Sequence, residues 1–312
     1  MRKYKVTAWN PLIAGSLELR PVSLNITRSL ESPAVSMRGS FAMAHWAPEL
    51  IYIRVTRGGD TIMEGKLDRQ RCAYGKDGMT LELEARSNGA ALLDNEAMPR
   101  SYQNLDAIRL FDDLIAPFGF LLSLPHTAPP LAEFTVRKDQ SLWEVFCLYS
   151  RRVYGTTPHV SGNLVSVGPP GYFGTLVLGD ENRPFSKIEE AVSLYHPIGK
   201  VVLRGEDGSY VTEIVNASAR DLEISRARYL IPANEFAAVP VFDANQRIRR
   251  SMGRMRKVMV TAPGYIDVSV GQSVRINHPQ VSIANMIAED IIFTLDEKGE
   301  QTSLNLTSML YI

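Results

Sequence analysis

The sequence predicts an α+β protein that is mainly β, in which two β-domains of related build enclose a small α+β unit. Two distant stretches, Lys66 to Ser87 and Asp290 to Ser308, repeat one pattern: a β-run, a charged turn closed by glycine, and a second run that alternates apolar and polar residues. Such alternation indicates a sheet with one buried face, and the glycines supply the positive φ that tight hairpins need. Between the two stretches, at Asn88-Gly89, the apolar period changes from two to about 3.6 residues, which is typical of helices.

The first predicted domain, residues 1–92, contains closely spaced strands. Val22, Leu24 and Ile26 alternate with polar residues, and a later run turns back at residues 57–60, where two glycines favour a hairpin. Strands this close together, with turn signals between them, are typical of a sandwich or a partly closed barrel.

The second predicted domain, residues 93–170, is a small α+β unit with two helices. Asn104 is expected to cap the first helix, and Asp106 is expected to lie in its positive first turn. The expected buried side of that helix consists of Ile108, Phe111, Leu114, Ile115 and Phe118. Ser141 and Glu144 have the serine-x-x-glutamate spacing of a capping box, which predicts the start of the second helix.

The third predicted domain, residues 171–312, is a second β-domain with one basic amphipathic helix at about residues 243–258. Asp243, with Gln246 three residues later, is expected to cap this helix. The apolar side comprises Ile248, Met252, Met255 and Met259, and the six cations are Arg247, Arg249, Arg250, Arg254, Arg256 and Lys257. Three uses of the cations stay open: a solvated outer face, which is the commonest role of a charge run, an interface with an acidic subunit, or contacts to nucleic-acid or lipid phosphates.

The overall charge of the chain argues against some classes of protein. Its 312 residues carry 34 basic and 34 acidic side chains, for a net charge of zero. This balance is not that of a protein whose main role is to neutralise nucleic-acid phosphates or anionic lipid. Cys72 and Cys147 fit neither a disulfide framework nor a metal site, which indicates a reducing compartment. No export signal or apolar run of ~20 residues is visible, so we expect no membrane anchor and synthesis in the cytoplasm.

A search for chemistry yields no catalytic, cofactor-binding or metal-binding residue that we can name. The five histidines stand singly, without the spacing of metal ligands. The glycine-rich segment 168–174 has prolines where free amides should face a phosphate, so we interpret it as a linker. The paired acids Asp112-Asp113 and Glu189-Glu190 are interpreted as solvated faces. We therefore expect a protein that is not an enzyme and has no cofactor.

Six stretches, taken in order, carry a resemblance to a known family. They are Thr27 to Ser32, Leu81 to Ala91, Asn104 to Phe120, Phe134 to Tyr149, Leu176 to Gly179 and the arginine-rich helix before the last strands. In this order they resemble the baseplate hub proteins of contractile-tailed bacteriophages, particularly the Mu-like hub and the related late-control D and prophage tail proteins. The resemblance covers nearly the full length, and it depends on the order of the elements because these residues are structural.

The resemblance implies a structural virion protein with two similar antiparallel β-barrel domains in each subunit. It implies a homotrimer whose three chains present a pseudo-sixfold ring, which joins the sixfold tail tube to the threefold central spike and nucleates tail assembly. The implied partners are the spike protein, the tail tube or tube-initiator protein and, as a further option, the tape measure protein, all in the baseplate of the virion tail. No specific nucleic acid is implied. The alternatives are a tail-associated peptidoglycan hydrolase and a nucleic-acid-binding module that uses the basic helix.

Overall fold

The computed structural model describes residues 4–13, 15–76, 78–167, 174–231 and 240–308, and the predicted linker at 168–174 lies almost wholly outside them. The strands, in chain order, are β1 Tyr4–Trp9, β2 Ser16–Leu19, β3 Pro21–Ser29, β4 Ser36–Met43, β5 Tyr52–Arg57, β6 Asp60–Gly75, β7 Gly78–Arg86, β8 Arg100–Leu105, β9 Leu121–Ser123, β10 Leu131–Val136, β11 His159–Ser161, β12 Leu164–Ser166, β13 Thr175–Leu178, β14 Lys187–Val192, β15 Lys200–Arg204, β16 Tyr210–Val215, β17 Ala227–Leu230, β18 Arg256–Pro263, β19 Ser273–His278, β20 Val281–Asp296 and β21 Gly299–Ser308. The helices are α1 Ala90–Asp94, α2 Ala107–Leu114, α3 Leu142–Tyr154, α4 Ala217–Asp221 and α5 Pro240–Gly253.

One sheet of 13 strands draws on both ends of the chain. Its main path runs β14-β18-β21-β20-β3-β4-β7-β6-β5-β1-β2, and β19 and β13 branch from the first half of β20. Three smaller sheets, β10-β8, β11-β12-β9 and β16-β15-β17, carry the remaining strands. The predicted fold class, α+β and mainly β, is confirmed.

Apolar residues of the large sheet pack into two separate cores. The first core is built around Phe41, Ile53 and Leu81, all fully buried, and the second around Ile276 and Leu304. Both follow from the alternation in the sequence, since every second residue of a strand points to the same face. A third core belongs to the middle of the chain, where α2 and α3 pack against the small sheets. The predicted domain limits at residues 92 and 170 stay a prediction.

Helix α3 begins as the sequence predicts. The Ser141 hydroxyl accepts a hydrogen bond from the Glu144 amide at 3.2 Å, and the Ser141 amide donates to Glu144 Oε2 at 2.8 Å. These two bonds satisfy amides at the helix start that have no partner within the helix, which is the function of a capping box.

Helix α2 begins later than predicted, and this changes its buried side. Asp106 is the cap and accepts a hydrogen bond from the Arg109 amide at 2.8 Å, whereas Asn104 lies in β8 with φ 51°. Ile108, which we expected to be buried, is 58% exposed, and Leu110 is buried instead. An N-cap residue usually has extended backbone angles, and Asp106, with φ −101° and ψ 171°, has them, whereas Asn104 does not.

Helix α5 ends earlier than its predicted limit at about residue 258. It finishes at Gly253, whose carbonyl accepts a hydrogen bond from the Thr307 hydroxyl at 3.2 Å, and β18 starts at Arg256. Glycine is a poor helix former, and the contact with β21 directs the chain into the sheet. Asp243 lies within the first turn of the helix rather than at its cap. Five predicted members of the helix lie beyond its end: Arg254 and Met255 follow it directly, and Arg256, Lys257 and Met259 belong to β18.

Candidate assembly interface

The large sheet contains the same arrangement of six strands twice. The first repeat has the neighbour order β3-β4-β7-β6-β5-β1, and the second has β14-β18-β21-β20-β19-β13. All six strands of one repeat also occur in the same order along the chain as their counterparts in the other repeat. The two repeats differ at one end, because β1 is antiparallel to β5 while β13 is parallel to β19. The similarity of the two end regions, predicted from two hairpins, therefore extends to a whole sheet topology.

A constant spacing along the chain relates the second half of each repeat. Strands β5, β6 and β7 start at Tyr52, Asp60 and Gly78, and their counterparts β19, β20 and β21 start at Ser273, Val281 and Gly299. The separation within each of these three pairs is the same, and we call it the repeat offset. The ends of β5 and β6 are separated from the ends of β19 and β20 by the same repeat offset.

Each long hairpin shifts register at the same place. The shift lies between Leu67 and Arg69 in the first repeat and between Ala288 and Asp290 in the second, and the repeat offset relates these positions too. A bulge re-aims a strand, so a bulge at the same position gives both long strands the same bend.

The two repeats are joined where the second half of β20 pairs with β3. The pairing is antiparallel, with Leu24 opposite Leu295 and Ile26 opposite Phe293. Phe293 belongs to the second repeat by sequence but packs in the first core, where its ring lies 5.3 Å from that of Tyr4 and 5.4 Å from that of Tyr265. The joint is thus a strand pairing sealed by apolar side chains.

Two strand edges correspond to the two sides of this joint. β14 occupies the place of β3 in the second repeat, and it is the last strand on the path of the large sheet. The second half of β6 occupies the place of the second half of β20, and within the described residues its Arg69 to Gly75 segment pairs only with β7. Tyr74 on β6 and Val192 on β14 are 77% and 60% exposed. Unpaired edges with exposed apolar residues are typical of surfaces that pair with another chain.

The two edges carry opposite charge. β14 presents Glu189 and Glu190, which the sequence alone indicated as a solvated face, and β6 presents Arg69 and Arg71. Within the chain, Glu189 contacts Lys187 at 2.7 Å, Glu190 contacts Arg256, and Arg71 contacts Glu82 at 3.5 Å. Exposed pairs of this kind contribute little, about 0–1 kcal/mol, so the charges remain available to a partner.

The six cations of the predicted basic helix divide into two groups. Three have carboxylate partners: Arg247 with Asp243, Arg256 with Glu190, and Lys257 with Glu289. The other three line cavities beside α5, and the described part of the chain offers them no ion pair: Arg249, Arg250 and Arg254. The larger cavity, of about 520 Å³, also receives Arg151, Arg152 and Arg228.

Burial and mutual repulsion act on the arginines of this cavity. Burial lowers the pKa of both Arg250 and Arg152, and neighbouring arginines lower these two pKa values further. Arg250 donates a hydrogen bond to the Thr157 hydroxyl at 2.9 Å, while the Arg152 Nε is buried without a partner in the described residues. The cavity is therefore a concentrated positive charge that the chain leaves largely uncompensated.

The described residues contain no group of three histidine, cysteine or acidic side chains placed to hold a metal ion. Among them, no helix is both long and apolar enough to cross a membrane. The expected absence of catalytic, cofactor-binding and metal-binding residues stays a prediction.

Solved structures with the same fold include two prophage or bacterial tail proteins and a component of a secretion system. No family model matches the sequence, and no curated protein matches it either. The chain is similar to a 43 kDa tail protein of prophage MuSo2 from Shewanella oneidensis, with a TM-score of 0.82 and 14% identity over 99% of both chains. It is also similar to a tail protein from Neisseria meningitidis MC58, with a TM-score of 0.79 and 17% identity over 98% of this chain and 96% of the other. An E. coli component of the type VI secretion system matches at a TM-score of 0.63 and 10% identity, over 92% and 73% of the two chains. The resemblance predicted from the sequence is thus confirmed in the fold, which this chain shares with prophage tail proteins.

Proposed function

We propose that this protein is a structural subunit of a phage tail baseplate, the hub that joins a sixfold tail tube to a threefold central spike. The observation that carries the proposal is the duplicated sheet with an internal strand joint. Three copies of a chain with two repeats present six similar units around an axis, while the assembly itself keeps threefold symmetry. The shared fold with prophage tail proteins supports the same role.

A trimer is the assembly that the two open edges favour. The internal joint connects two different surfaces, the β3 edge of one repeat and the β20 edge of the other, so it is a head-to-tail contact. Contacts of this type build closed rings when the rotation between units is suitable. Each copy of the chain exposes one edge of each kind, so neighbouring copies can repeat the joint until the ring closes.

In this proposal the protein is not an enzyme, and it functions by binding other proteins through its surfaces. We expect its partners to be the spike protein on the threefold side and the tail tube or tube-initiator protein on the sixfold side, with the tape measure protein as a further contact. Its place is the baseplate of the virion tail, after assembly in the host cytoplasm. Complementary strand edges and charge, rather than perturbed catalytic groups, are the features that such a scaffold needs.

The proposal is tested by the mass of the native assembly. We expect native mass spectrometry and light scattering to give three chains at micromolar protein concentration, and a larger complex after addition of spike and tube proteins from the same tail. A monomer at every concentration, with neither partner bound, would exclude the hub.

A second candidate, a nucleic-acid-binding module, is favoured by the uncompensated arginines beside α5. It predicts DNA binding that weakens steeply with salt, because each phosphate contact releases counterions. Replacing Arg250 and Arg254 by alanine should abolish that binding and reduce its salt dependence. Binding that is weak, or equal in the double variant and the wild type, would leave the scaffold as the better account.

A further inference from the structure

We propose that β14 of one copy pairs with the second half of β6 of a neighbouring copy, antiparallel and in the register of the internal joint. The partner is thus a second copy of this chain, and the contact is specified residue by residue. This inference rests on the proposed ring and adds its strand contact. The described strands provide the template, because β3 and β20 already form the same pairing inside one chain.

The register on the β14 side follows from the repeat. Leu24 lies opposite Gly39, and Ile188 lies opposite Val260, which the repeat offset relates to Gly39. Ile188 therefore occupies the position of Leu24.

The same comparison applies two residues further along β14. Ile26 is opposite Met37, and Glu190 is opposite Val258, which the repeat offset relates to Met37. Glu190 therefore occupies the position of Ile26.

The other side of the contact is obtained in the same way. Leu295 and Phe293, which face Leu24 and Ile26 in the joint, correspond to Tyr74 and Cys72 on β6. The proposed contact thus sets Ile188 of one copy opposite Tyr74 of the next. Two residues along, it sets Glu190 opposite Cys72.

The geometry at the start of the β6 edge permits a third strand. The Leu67 amide donates to the Ile51 carbonyl at 2.8 Å, and at the corresponding place the Ala288 amide donates to the Gln272 carbonyl at 3.0 Å. In the second repeat this bond coexists with the pairing of β3, which begins two residues later at Asp290. The β6 edge has the same local arrangement and the same bulge, so it can accept a strand in the same way.

The side chains on both edges suit this register. The pairing covers the exposed ring of Tyr74 and sets the exposed Val192 opposite Gln70 on the same face. Glu189 lies diagonal to Arg71 on the other face, within reach of long side chains in an antiparallel pair. A shift by one residue would exchange the faces and place Tyr74 on the face of Glu189.

The opposed position of Glu190 and the natural Cys72 provides a direct test. Directly opposed residues of antiparallel strands have Cα atoms about 4.5–5.5 Å apart, which lies within the ~4.4–6.8 Å span of disulfides. Both positions belong to inward faces, since Cys72 packs against the first core and Glu190 is opposite the buried Val258. The variant Glu190→Cys should therefore form an intermolecular disulfide with Cys72 on mild oxidation.

The experiment compares three variants after oxidation, on denaturing gels without reductant. Glu190→Cys should shift from one chain to ladders of two and three chains. Glu189→Cys, whose side chain points to the opposite face, should stay at one chain. Glu190→Cys combined with Cys72→Ala should also stay at one chain, which assigns the bond to Cys72. As a second measurement, Cys72 of the wild type should be alkylated in dissociated copies and protected in the assembly.

The outcomes separate this inference from the proposed function. A native trimer in which Glu190→Cys forms no crosslink and Cys72 stays reactive overturns the strand contact and leaves the hub standing. Equal crosslinking by Glu189→Cys also overturns the register. A chain that is monomeric at all concentrations overturns the hub itself, and the contact with it.

Discussion

Replacing Phe293 by alanine tests the joint between the two repeats. The side chain is 2% exposed and contacts two tyrosine rings in the first core, although its strand belongs to the second repeat. Truncating a buried phenylalanine costs about 3–5 kcal/mol of unfolding free energy, and losing favourable ring pairs moves the cost toward the upper part of that range. We therefore expect a loss of about 4 kcal/mol.

Urea denaturation at one fixed protein concentration measures this loss. With a slope of about 3 kcal/mol/M, the unfolding midpoint should fall by on the order of 1 M while the slope stays constant. Phe293→Leu retains most of the apolar volume and should cost only about 1 kcal/mol. A loss below about 1 kcal/mol for Phe293→Ala, or the same loss for both variants, would refute the claim that β20 stabilises the first core.

Three further predictions concern single positions. Gly65→Ala should lower the free energy of unfolding by about 1–3 kcal/mol, because the added Cβ would lie 2.0 Å from a backbone oxygen of β7. The control Gly75→Ala should be nearly neutral, since its Cβ meets nothing within 4 Å, and equal melting temperatures of the two variants would contradict this prediction. Arg152→Met should raise the free energy of unfolding by about 1 kcal/mol, since it removes a half-buried cation whose Nε has no partner in the described residues. A marked loss of stability in denaturant melts would contradict this prediction and show that the fold depends on the charge. Burial raises the pKa of Cys147 to about 12, so at pH 8 about 0.01% of this thiol is thiolate. Intact-mass measurement of folded, dissociated copies should therefore show alkylation at Cys72 alone until denaturant is added, and rapid double labelling of these folded copies would contradict the prediction.

Local patterns in the sequence are sufficient to predict the hairpins and one helix start. The stretch from Lys66 to Ser87 and the stretch from Asp290 to Ser308 are recognisable because strand alternation and glycine turns are properties of adjacent residues. The capping box at Ser141 is recognisable for the same reason. The structure adds that the register of the two hairpins is identical, down to the position of the bulge.

The joint could not be predicted in the same way. β3 and β20 lie near opposite ends of the chain, and no local pattern states that Ile26 will face Phe293. The predicted limits of helices α2 and α5 were wrong for a related reason. The end of α5 depends on a hydrogen bond from Thr307, which is distant in sequence, and the start of α2 depends on a choice between two neighbouring caps. Of the interface residues, the sequence marked Glu189-Glu190 only as solvated and Cys72 only as a thiol outside any disulfide or metal pattern.

The internal joint and the proposed intermolecular joint differ in the side chains that stabilise the strand pairing. Inside the chain, Ile26 faces Phe293, and the pair is buried in the first core. In the proposed contact, the same positions hold Glu190 and Cys72, and acidic and basic residues flank them. The internal joint must hold permanently because the fold of the chain depends on it, and an apolar seal suits that purpose. A contact between separate chains must first find its partner, and opposite charges on the two edges increase the rate of encounter and penalise pairing of like edges. The same strand pairing can therefore form once within the chain, as part of folding, and once between chains, as part of assembly. A few side chains along β6 and β14 make the difference.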